Sequence, residues 1–171
     1  MYLKYFMNDI EIRDYQSDQF FVREVVESDR EYMKAVAAAE YLFGRLYVVE
    51  PEIGIKVYWD EMIKVKGDLN YLAFLNNGDL LGRVALQGIN EDYPELAIVI
   101  VKEYQSKGYG YLLLKQWLNW VYSEGVCNRI NVKIDCDNKK SVGLFKKLGA
   151  IVDDEDDIIR CHINLPTRTI S

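Results

Sequence analysis

The sequence predicts an α/β (α+β) fold in which a mixed, largely antiparallel sheet carries helices on both faces. Three observations support this prediction. Strand-like segments between residues 71 and 101 are joined by short polar turns, which is typical of an antiparallel meander. The last of these strands leads through a glycine-bearing loop into a helical pattern and then another strand, which makes a βαβ crossover. The segment 159–165 alternates again and closes the chain as a hairpin.

Composition limits the classes of protein that the chain can belong to. With 171 residues, half of them apolar and 13% aromatic, residues 1–171 are expected to form a single globular domain. The net charge of −6 argues against general nucleic-acid binding. No apolar run is long enough to span a membrane, and the first residues are too polar for a signal peptide.

The cysteines indicate a reducing compartment. Cys127, Cys136 and Cys161 are odd in number and form no C-x-x-C pair, so neither a disulfide framework nor a zinc site is predicted. They are expected to be small buried residues in a soluble, cytoplasmic protein without a metal.

The N-terminal third contains one strand and two helical patterns. Residues 10–15 alternate and predict a strand. Ser17 and Asp18 can cap a helix over the following apolar positions, although 20–26 is also rich in the aromatic and β-branched residues of strands; helix is the favoured alternative. The alanine-rich segment 30–43 predicts a helix that stops at Gly44.

Residues 45–69 are the least regular part of the chain. Pro51 and Gly54 are expected to interrupt any long element, and 58–66 is compatible with a short helix. Loops that contact a substrate and a plain surface connection are both compatible with this segment.

From residue 71 onward the patterns are stronger. Residues 71–75 and 80–87 form a predicted hairpin, and 95–101 is an unbroken apolar strand that suits the centre of a sheet. A helix over 111–124, a strand over 130–136 and a helix over 140–148 follow, with Gly125 and Gly149 as helix stops. The acidic run 153–157 is interpreted as a solvated turn before the last strand, although it could also attract a cationic substrate.

The loop 105–110 is the strongest candidate for a binding site. It connects a strand to a helix, and the first N–H groups of a helix have no partner within it, so an anion such as a phosphate can bind there. The loop lacks the G-x-x-x-x-G-K-[ST] pattern of a P-loop, and Leu113 occupies the position of the third glycine of a dinucleotide-binding fingerprint. An ordinary strand-to-helix turn is the alternative.

Two motifs resemble those of the GNAT superfamily, the acyl-CoA-dependent N-acetyltransferases. Gln105-x-x-Gly108-x-Gly110 resembles its motif A, and Asn138-x-x-Ser141-x-x-Leu144-Phe145-x-Lys147-x-Gly149 resembles its motif B. The motifs occur in the order that the family requires, and the resemblance covers the whole chain except 45–69. It implies a GNAT-like sheet whose central strand splays away from its neighbour to bind coenzyme A.

The resemblance also implies which residues bind acetyl-CoA, the expected co-substrate. The pantetheine arm would pair with the strand before the loop, at Ile98, Val99, Ile100 and Val101. Asn138 would also contact this arm, in addition to capping its helix. The pyrophosphate would bind to the N–H groups of the loop, which belong to Gln105, Ser106, Lys107, Gly108, Tyr109 and Gly110, with Tyr111 next.

The catalytic residues are less well defined. The resemblance implies that Phe145 lies beside the thioester sulfur, at the motif B position where the family often has a tyrosine acid. Phenylalanine has no proton to donate, so another tyrosine or a water could serve instead. Glu95, at the start of the central strand, matches the glutamate that is the base in many members, although a solvated strand-end glutamate is the alternative. Glu91 and Asp92 are weaker candidates, and the sole histidine, His162, is expected to have a surface or second-layer role.

The function predicted from these features is transfer of an acetyl group from acetyl-CoA to a primary amine by direct attack. The alternative, motivated by Phe145, is a non-catalytic acyl-CoA-binding or sensor domain. The acceptor would be a small-molecule or peptide amine, and a protein N-terminus, an aminoglycoside, a polyamine and an amino acid all fit. Subunit pairing is common in the family, so a homodimer is compatible with the sequence, and neither nucleic acid nor a membrane is an expected partner.

Overall fold

Strands in the described part of the chain form one sheet. A computed structural model describes residues 14–40, 48–63, 68–89 and 92–167, except for the side chains of 61–63. The strands are β1 (Tyr15–Gln16), β2 (Phe20–Glu24), β3 (Leu69–Leu75), β4 (Leu80–Gln87), β5 (Glu95–Ile100), β6 (Arg129–Asp135), β7 (Ile151–Glu155) and β8 (Ile158–Asn164). Their order is β1-β2-β3-β4-β5-β6-β8-β7, and only the β5–β6 pair is parallel. The predicted mixed, largely antiparallel sheet is confirmed.

Helices cover both faces of this sheet, as predicted. They are α1 (Arg30–Ala39), α2 (Pro51–Val57), α3 (Tyr109–Ser123) and α4 (Lys139–Lys147), and a π-helical segment, Tyr58–Ile63, continues α2. Trp117 of α3 and Phe145 of α4 are buried with the inward residues of β6 and β8 in one hydrophobic cluster. Met33 of α1 and Trp59 are buried in a second cluster that includes Val99 of β5. The central strand β5 therefore packs against helices on both sides.

The segment 20–26 contradicts the favoured helix prediction. Residues Phe20–Glu24 form β2, and all five pair with β3. The Ser17 hydroxyl, predicted to cap a helix, instead accepts hydrogen bonds from the N–H groups of Gln19 (3.2 Å) and Phe20 (3.1 Å) at the turn between β1 and β2. Pairing with β3 favours the aromatic and β-branched side chains of this segment. The predicted strand over 10–15 lies outside the described residues except for its end, where Tyr15 belongs to β1.

Two boundaries in the first half also differ from the predictions. Helix α1 ends at Ala39, because Glu40 has an extended backbone (ψ 135°), and the predicted stop at Gly44 lies outside the described residues. Pro51 and Gly54 lie within α2 and do not interrupt it. Proline is tolerated in the first turn of a helix, where its missing N–H would have had no partner.

The acidic run 153–157 is only partly a turn. Its first three residues belong to β7, which pairs with β8 at the edge of the sheet. All five residues of β7 are exposed, so the strand lacks the alternating burial by which a half-buried strand is recognised. The remaining strands and helices after residue 68 lie where the sequence predicts them, within a few residues.

A buried ion pair joins β2 to the segment before α1. The guanidinium of Arg23 donates hydrogen bonds of 2.8 Å to both carboxylate oxygens of Asp29, and the Val26 N–H donates another of 2.8 Å. Asp29 is 2% exposed. The hydrogen bonds from Arg23, more than any other contact, hold the pKa of Asp29 below its usual value.

Replacing Asp29 with Asn is expected to lower the free energy of unfolding by about 2–4 kcal/mol at pH 7, because Arg23 loses its buried partner. The folded-state pKa of Asp29 is lowered, so its contribution is fully present above the unfolded pKa of about 3.9 and is lost as the pH falls through the lower folded pKa. Urea unfolding at pH 7 and in acid measures both effects. Glu31→Gln, which removes the same charge from an exposed pair with Lys34, is the control. Equal losses for the two variants, or a gap from wild type that widens in acid, would contradict the assignment.

Candidate active site

The central parallel pair of strands separates almost from its start. In the register of β5 and β6, the only paired residues are Glu95 and Asn131. The Asn131 N–H also donates to the Pro94 carbonyl at 2.9 Å. Beyond this point the two strands diverge, and β5 lines a cleft of about 750 Å³.

The backbone of β5 presents unpaired polar groups to this cleft. The Val101 N–H donates to the Leu81 carbonyl of β4 at 3.0 Å, so the odd-numbered residues of β5 hydrogen-bond to β4. Backbone direction alternates along a strand, which turns the N–H and C=O groups of Ile98 and Ile100 towards the cleft. The Ile100 carbonyl accepts a hydrogen bond of 2.9 Å from the Gln105 side chain. Ile98 therefore offers a donor and an acceptor to a ligand that lies along the strand.

The loop after β5 has the backbone conformation of an anion site. Ser106 has φ 60° and Gly108 has φ 85°, and Ser106 is the only non-glycine residue with positive φ in the described chain. Gly108 is the N-cap of α3, and the Leu112 N–H donates back to its carbonyl at 3.2 Å. The N–H groups that precede Leu112 in the first turn have no carbonyl to reach within the helix, so they are available to a ligand. A left-handed serine is strained, and such strain is typical of functional loops.

The cleft wall combines the loop, β5 and α4. Most of the predicted cofactor residues lie on it: Ile98, Val99, Ile100, Gln105, Ser106, Gly108, Tyr109, Gly110, Tyr111 and Asn138. The remaining lining residues were not predicted, and they are Ala39, Glu40, Tyr104, Asp137, Lys139, Lys140, Ser141, Gly143, Leu144 and Lys147. The lining therefore joins the two motif segments and adds the end of α1.

Gln105 ties together three parts of the cleft wall. Its side-chain N–H bonds to the end of β5, and its side-chain carbonyl accepts from the Lys140 ammonium of α4 at 3.2 Å. Gly110 lets the start of α3 pack closely against α4, because a Cβ at this position would lie 3.4 Å from the Leu144 side chain. Asn138 caps α4, and its side-chain oxygen accepts from the Ser141 N–H at 3.3 Å. Loop, strand and helix are thus fixed relative to one another.

Four of the residues predicted to bind the cofactor or to act as the base do not line the described cleft wall: Glu95, Val101, Lys107 and Phe145. Val101 is 3% exposed in the cluster under α1, and Phe145 is 4% exposed in the cluster under α3 and α4. The Lys107 ammonium lies 5.5 Å from the centre of the Tyr104 ring. Phe145 therefore packs in the core in this structure.

The positive charges at the cleft come mainly from α4. Lys139, Lys140 and Lys147 line it, and the Lys147 ammonium lies 4.2 Å from the centre of the Tyr111 ring. Lys139 and Lys140 were not predicted to belong to the site, whereas Lys147 is part of the motif B pattern. Lys139 and Lys140 directly follow Asn138 at the start of α4, and this position was the available signal.

Glu95 forms an ion pair beside the point where the strands part. Its carboxylate lies 2.7 Å from the ammonium of Lys133 on β6, and its side chain is 32% exposed. Glu95 is the β5 residue that pairs with Asn131, and Lys133 lies two residues after Asn131 on β6. Of the weaker candidates, Glu91 lies outside the described residues and Asp92 is exposed.

His162 lies beside Asn131 in the sheet, and its ring contacts an acidic residue. Its Nδ1 lies 2.8 Å and 2.9 Å from the two oxygens of Asp153 on the edge strand. The register pairs His162 with Asn131, so it lies one strand further from β5 than Asn131 does. It does not line the described cleft wall, and its side chain is 12% exposed.

The cysteines have the properties of inert thiols. Burial raises the pKa of Cys127 to about 12 and also raises the pKa values of Cys136 and Cys161. None of the three lies on the described cleft wall. A thiol must ionise to act as a nucleophile, so an acyl-cysteine intermediate is disfavoured. The ligand atoms of Asp135, Cys136 and Asp137 lie within 4.8 Å of one another, and the absence of a metal stays a prediction.

Comparisons with known proteins agree on the fold. A model of the GNAT acetyltransferase domain matches residues 6–151. The spermidine N-acetyltransferase of Vibrio cholerae, solved with CoA and spermine, is 18% identical, with a TM-score of 0.68 over 88% of this chain and 98% of that one. A domain from Methanocaldococcus jannaschii is 21% identical, with a TM-score of 0.67 over 85% and 98%. A dodecameric structure of the V. cholerae enzyme is 21% identical, with a TM-score of 0.65 over 86% and 95%.

A search of curated protein sequences finds no significant match. Among the described residues, no helix combines the length and the apolar character needed to cross a membrane.

Proposed function

The chain belongs to the GNAT family of N-acetyltransferases, and we propose from this premise that it transfers the acetyl group of acetyl-CoA to a primary amine by direct attack. The observation that carries the proposal is the open edge of β5, which leads into the left-handed loop at the start of α3. The edge offers hydrogen bonds to an extended amide-containing arm, and the loop offers N–H groups to a pyrophosphate.

The residues present fit coenzyme A at both ends of the cleft. The backbone of Ile98 would pair with an amide of the pantetheine arm, as an added strand would. The first turn of α3 and the lysines of α4 would bind the pyrophosphate, since a helix N-terminus and ammonium groups both favour a dianion. A Cβ at Gly108 would meet nothing within 4 Å, which leaves room for a ligand above the loop.

The reaction forms a carbon–nitrogen bond and breaks a carbon–sulfur bond. The neutral amine nitrogen attacks the thioester carbonyl carbon, the carbon–sulfur bond breaks, and CoA leaves as a thiolate that takes up a proton. A backbone N–H of β5 would stabilise the developing oxyanion. Glu95 would take the proton that the amine loses, and Lys133 would position the Glu95 carboxylate through their 2.7 Å contact.

Replacing Glu95 with Gln is expected to lower kcat about 100-fold or more and to change the pH dependence of the rate, because an amide cannot accept the proton. The variant also breaks the ion pair with Lys133. Lys133→Met breaks the same pair from the other side and keeps the carboxylate, so it is the matched control. Steady-state rates from pH 6 to 10 for both variants separate the two effects.

Glu95 is excluded as the base if Glu95→Gln keeps the wild-type pH profile. Equal losses of rate in Glu95→Gln and Lys133→Met would assign Glu95 a positioning role instead.

The proton that the thiolate takes up need not come from a dedicated side chain. Phe145 carries no proton, and its ring is buried away from the described cleft wall. Tyr104 does line the cleft, but its hydroxyl donates to the Asp79 carboxylate at 2.6 Å, and this hydrogen bond raises the pKa of Tyr104. A thiolate is a fairly good leaving group, so water can supply the proton.

The acceptor is proposed to be a small amine, with polyamines as the first class to test. The V. cholerae protein of similar fold is a spermidine N-acetyltransferase, which motivates this choice. Following free thiol release from acetyl-CoA with a panel of spermidine, aminoglycosides, amino acids and peptides tests the function. Tight CoA binding with no turnover on any amine would favour the non-catalytic alternative and contradict the proposal.

A further inference from the structure

Two ammonium groups lie over the ring of Tyr111 on the wall of the cleft. The Lys147 ammonium of α4 is 4.2 Å from the ring centre, and the Lys115 ammonium, one turn further along α3, is 5.7 Å from it. The close approach of Gly110 to Leu144 brings the two helices together beside this ring. Tyr111 itself is half-buried against the hydrophobic cluster under α3 and α4. The packed ring therefore gathers positive charge from two helices at one place on the wall.

Lys115 and Lys147 have no acidic partner in the described part of the chain. Neither ammonium group forms an ion pair or a hydrogen bond there. The other lysines on the cleft wall differ, because Lys139 donates to a backbone carbonyl at 2.8 Å and Lys140 donates to Gln105 at 3.2 Å. An aromatic ring attracts a cation through its quadrupole but does not neutralise its charge. The charge at the Tyr111 ring is therefore available to an anion.

The positive charge of the cleft lies in two places along α4. Lys140, Leu144 and Lys147 recur at helical spacing and all line the cleft. At the rise of an α-helix, Lys140 and Lys147 are separated by about 10 Å along the axis. Lys140 is held beside the loop by its hydrogen bond to Gln105, whereas Lys147 lies over Tyr111. A ligand that uses both positions must carry two separate anionic groups.

We propose that Lys147 and Lys115, gathered at the Tyr111 ring, bind the 3′-phosphate on the ribose of coenzyme A and so select CoA over its dephospho form. The inference rests on the proposed function. A phosphate monoester carries close to two negative charges at pH 7, and hydrogen bonds from ammonium groups to it are charge-assisted. In CoA this phosphate and the pyrophosphate are attached to the same ribose. The first turn of α3 supplies both the free N–H groups and the Tyr111 ring, so one helix end can serve both phosphates.

Two ligands that differ only in this phosphate test the proposal. CoA and 3′-dephospho-CoA share the pyrophosphate and the pantetheine arm, so the ratio of their dissociation constants reports on the 3′-phosphate alone. Calorimetry measures both constants. The wild type is expected to bind CoA about 10- to 100-fold more tightly than dephospho-CoA, as for one or two charge-assisted hydrogen bonds. Lys147→Met is expected to lower this ratio about 10-fold, and the double variant with Lys115→Met is expected to remove the preference.

Lys146→Met is the matched control for these changes. Lys146 is the exposed neighbour of Lys147 on α4 and does not line the described cleft wall, so this variant should keep the wild-type ratio. Binding of dephospho-CoA by each variant shows that the variant is folded. The preference of the wild type should also weaken as salt is added, because the added ions screen exposed charges.

Three results would overturn the proposal and leave the proposed function intact. They are equal affinity of the wild type for the two ligands, a double variant that keeps the full ratio, and a loss in Lys146→Met as large as that in Lys147→Met. The second result includes the case in which both ligands lose affinity equally, because the lysines would then act on the pyrophosphate. If neither ligand binds to the wild type, the proposed function is contradicted, and this inference fails with it.

Discussion

Replacing Gly108 with valine is expected to weaken CoA binding about 10- to 100-fold, the loss of one charge-assisted hydrogen bond to the pyrophosphate. Gly108 has φ 85°, lies on the cleft wall and has open space where its Cβ would be. A valine side chain would project into that space and disfavour the left-handed conformation that starts α3. Calorimetric titration with CoA measures the loss.

Gly78→Val is the matched control for this change. Gly78 has φ 93° and no atom within 4 Å of its Cβ position, but it lies in the turn between β3 and β4. Both variants should lose about 1–2 kcal/mol of stability through backbone strain, and only Gly108→Val should lose affinity for CoA. If both variants bind CoA as the wild type does, the loop is an ordinary strand-to-helix turn.

Gly82→Ala is expected to lower the free energy of unfolding by about 3 kcal/mol or more. A Cβ at Gly82 would lie 2.0 Å from the Val99 carbonyl oxygen and 3.0 Å from the Ile100 Cα. Both atoms belong to the backbone of β5, so no side-chain rotation can relieve the contact. The strand that borders the cleft would have to move, and urea unfolding measures the cost.

Gly143→Ala tests whether the effect comes from this close approach. Gly143 is inside α4, and its Cβ would meet nothing within 4 Å. Alanine is favoured over glycine in a helix, so this variant should gain about 0.5–1 kcal/mol of stability. A Gly82→Ala protein that unfolds at the same urea concentration as the wild type would show that β4 and β5 do not approach each other this closely.

The parts of the fold that the sequence predicted correctly depend on local information. The strand, loop and helix around Gly108 carry their own periodicity and turn residues, and the two motifs add a family-specific spacing. Nearly all the residues predicted for the loop line the cleft, because chain connectivity alone brings them together. Asn138 lies on the same wall, since the βαβ crossover returns the start of α4 to that end of the sheet.

The features that the sequence did not predict correctly depend on contacts between residues that are far apart in the chain. Residues Phe20–Glu24 form a strand because they pair with β3, about 50 residues later in the chain, and no local pattern encodes that pairing. Glu40 joins the cleft only because α1 packs on β5 and ends there. Phe145 matches a motif position, yet the orientation of α4 turns its ring into the core, which spacing alone does not specify.

The exposed strand β7 has a consequence for how the protein behaves at high concentration. An edge strand presents unpaired N–H and C=O groups to which another chain can add, and the exposed Ile151 and Val152 would favour such addition. Asp153, Asp154 and Glu155 follow them directly on the same strand. Two copies that joined through β7 would bring these carboxylates close together, which disfavours the addition of a second chain at this edge of the sheet.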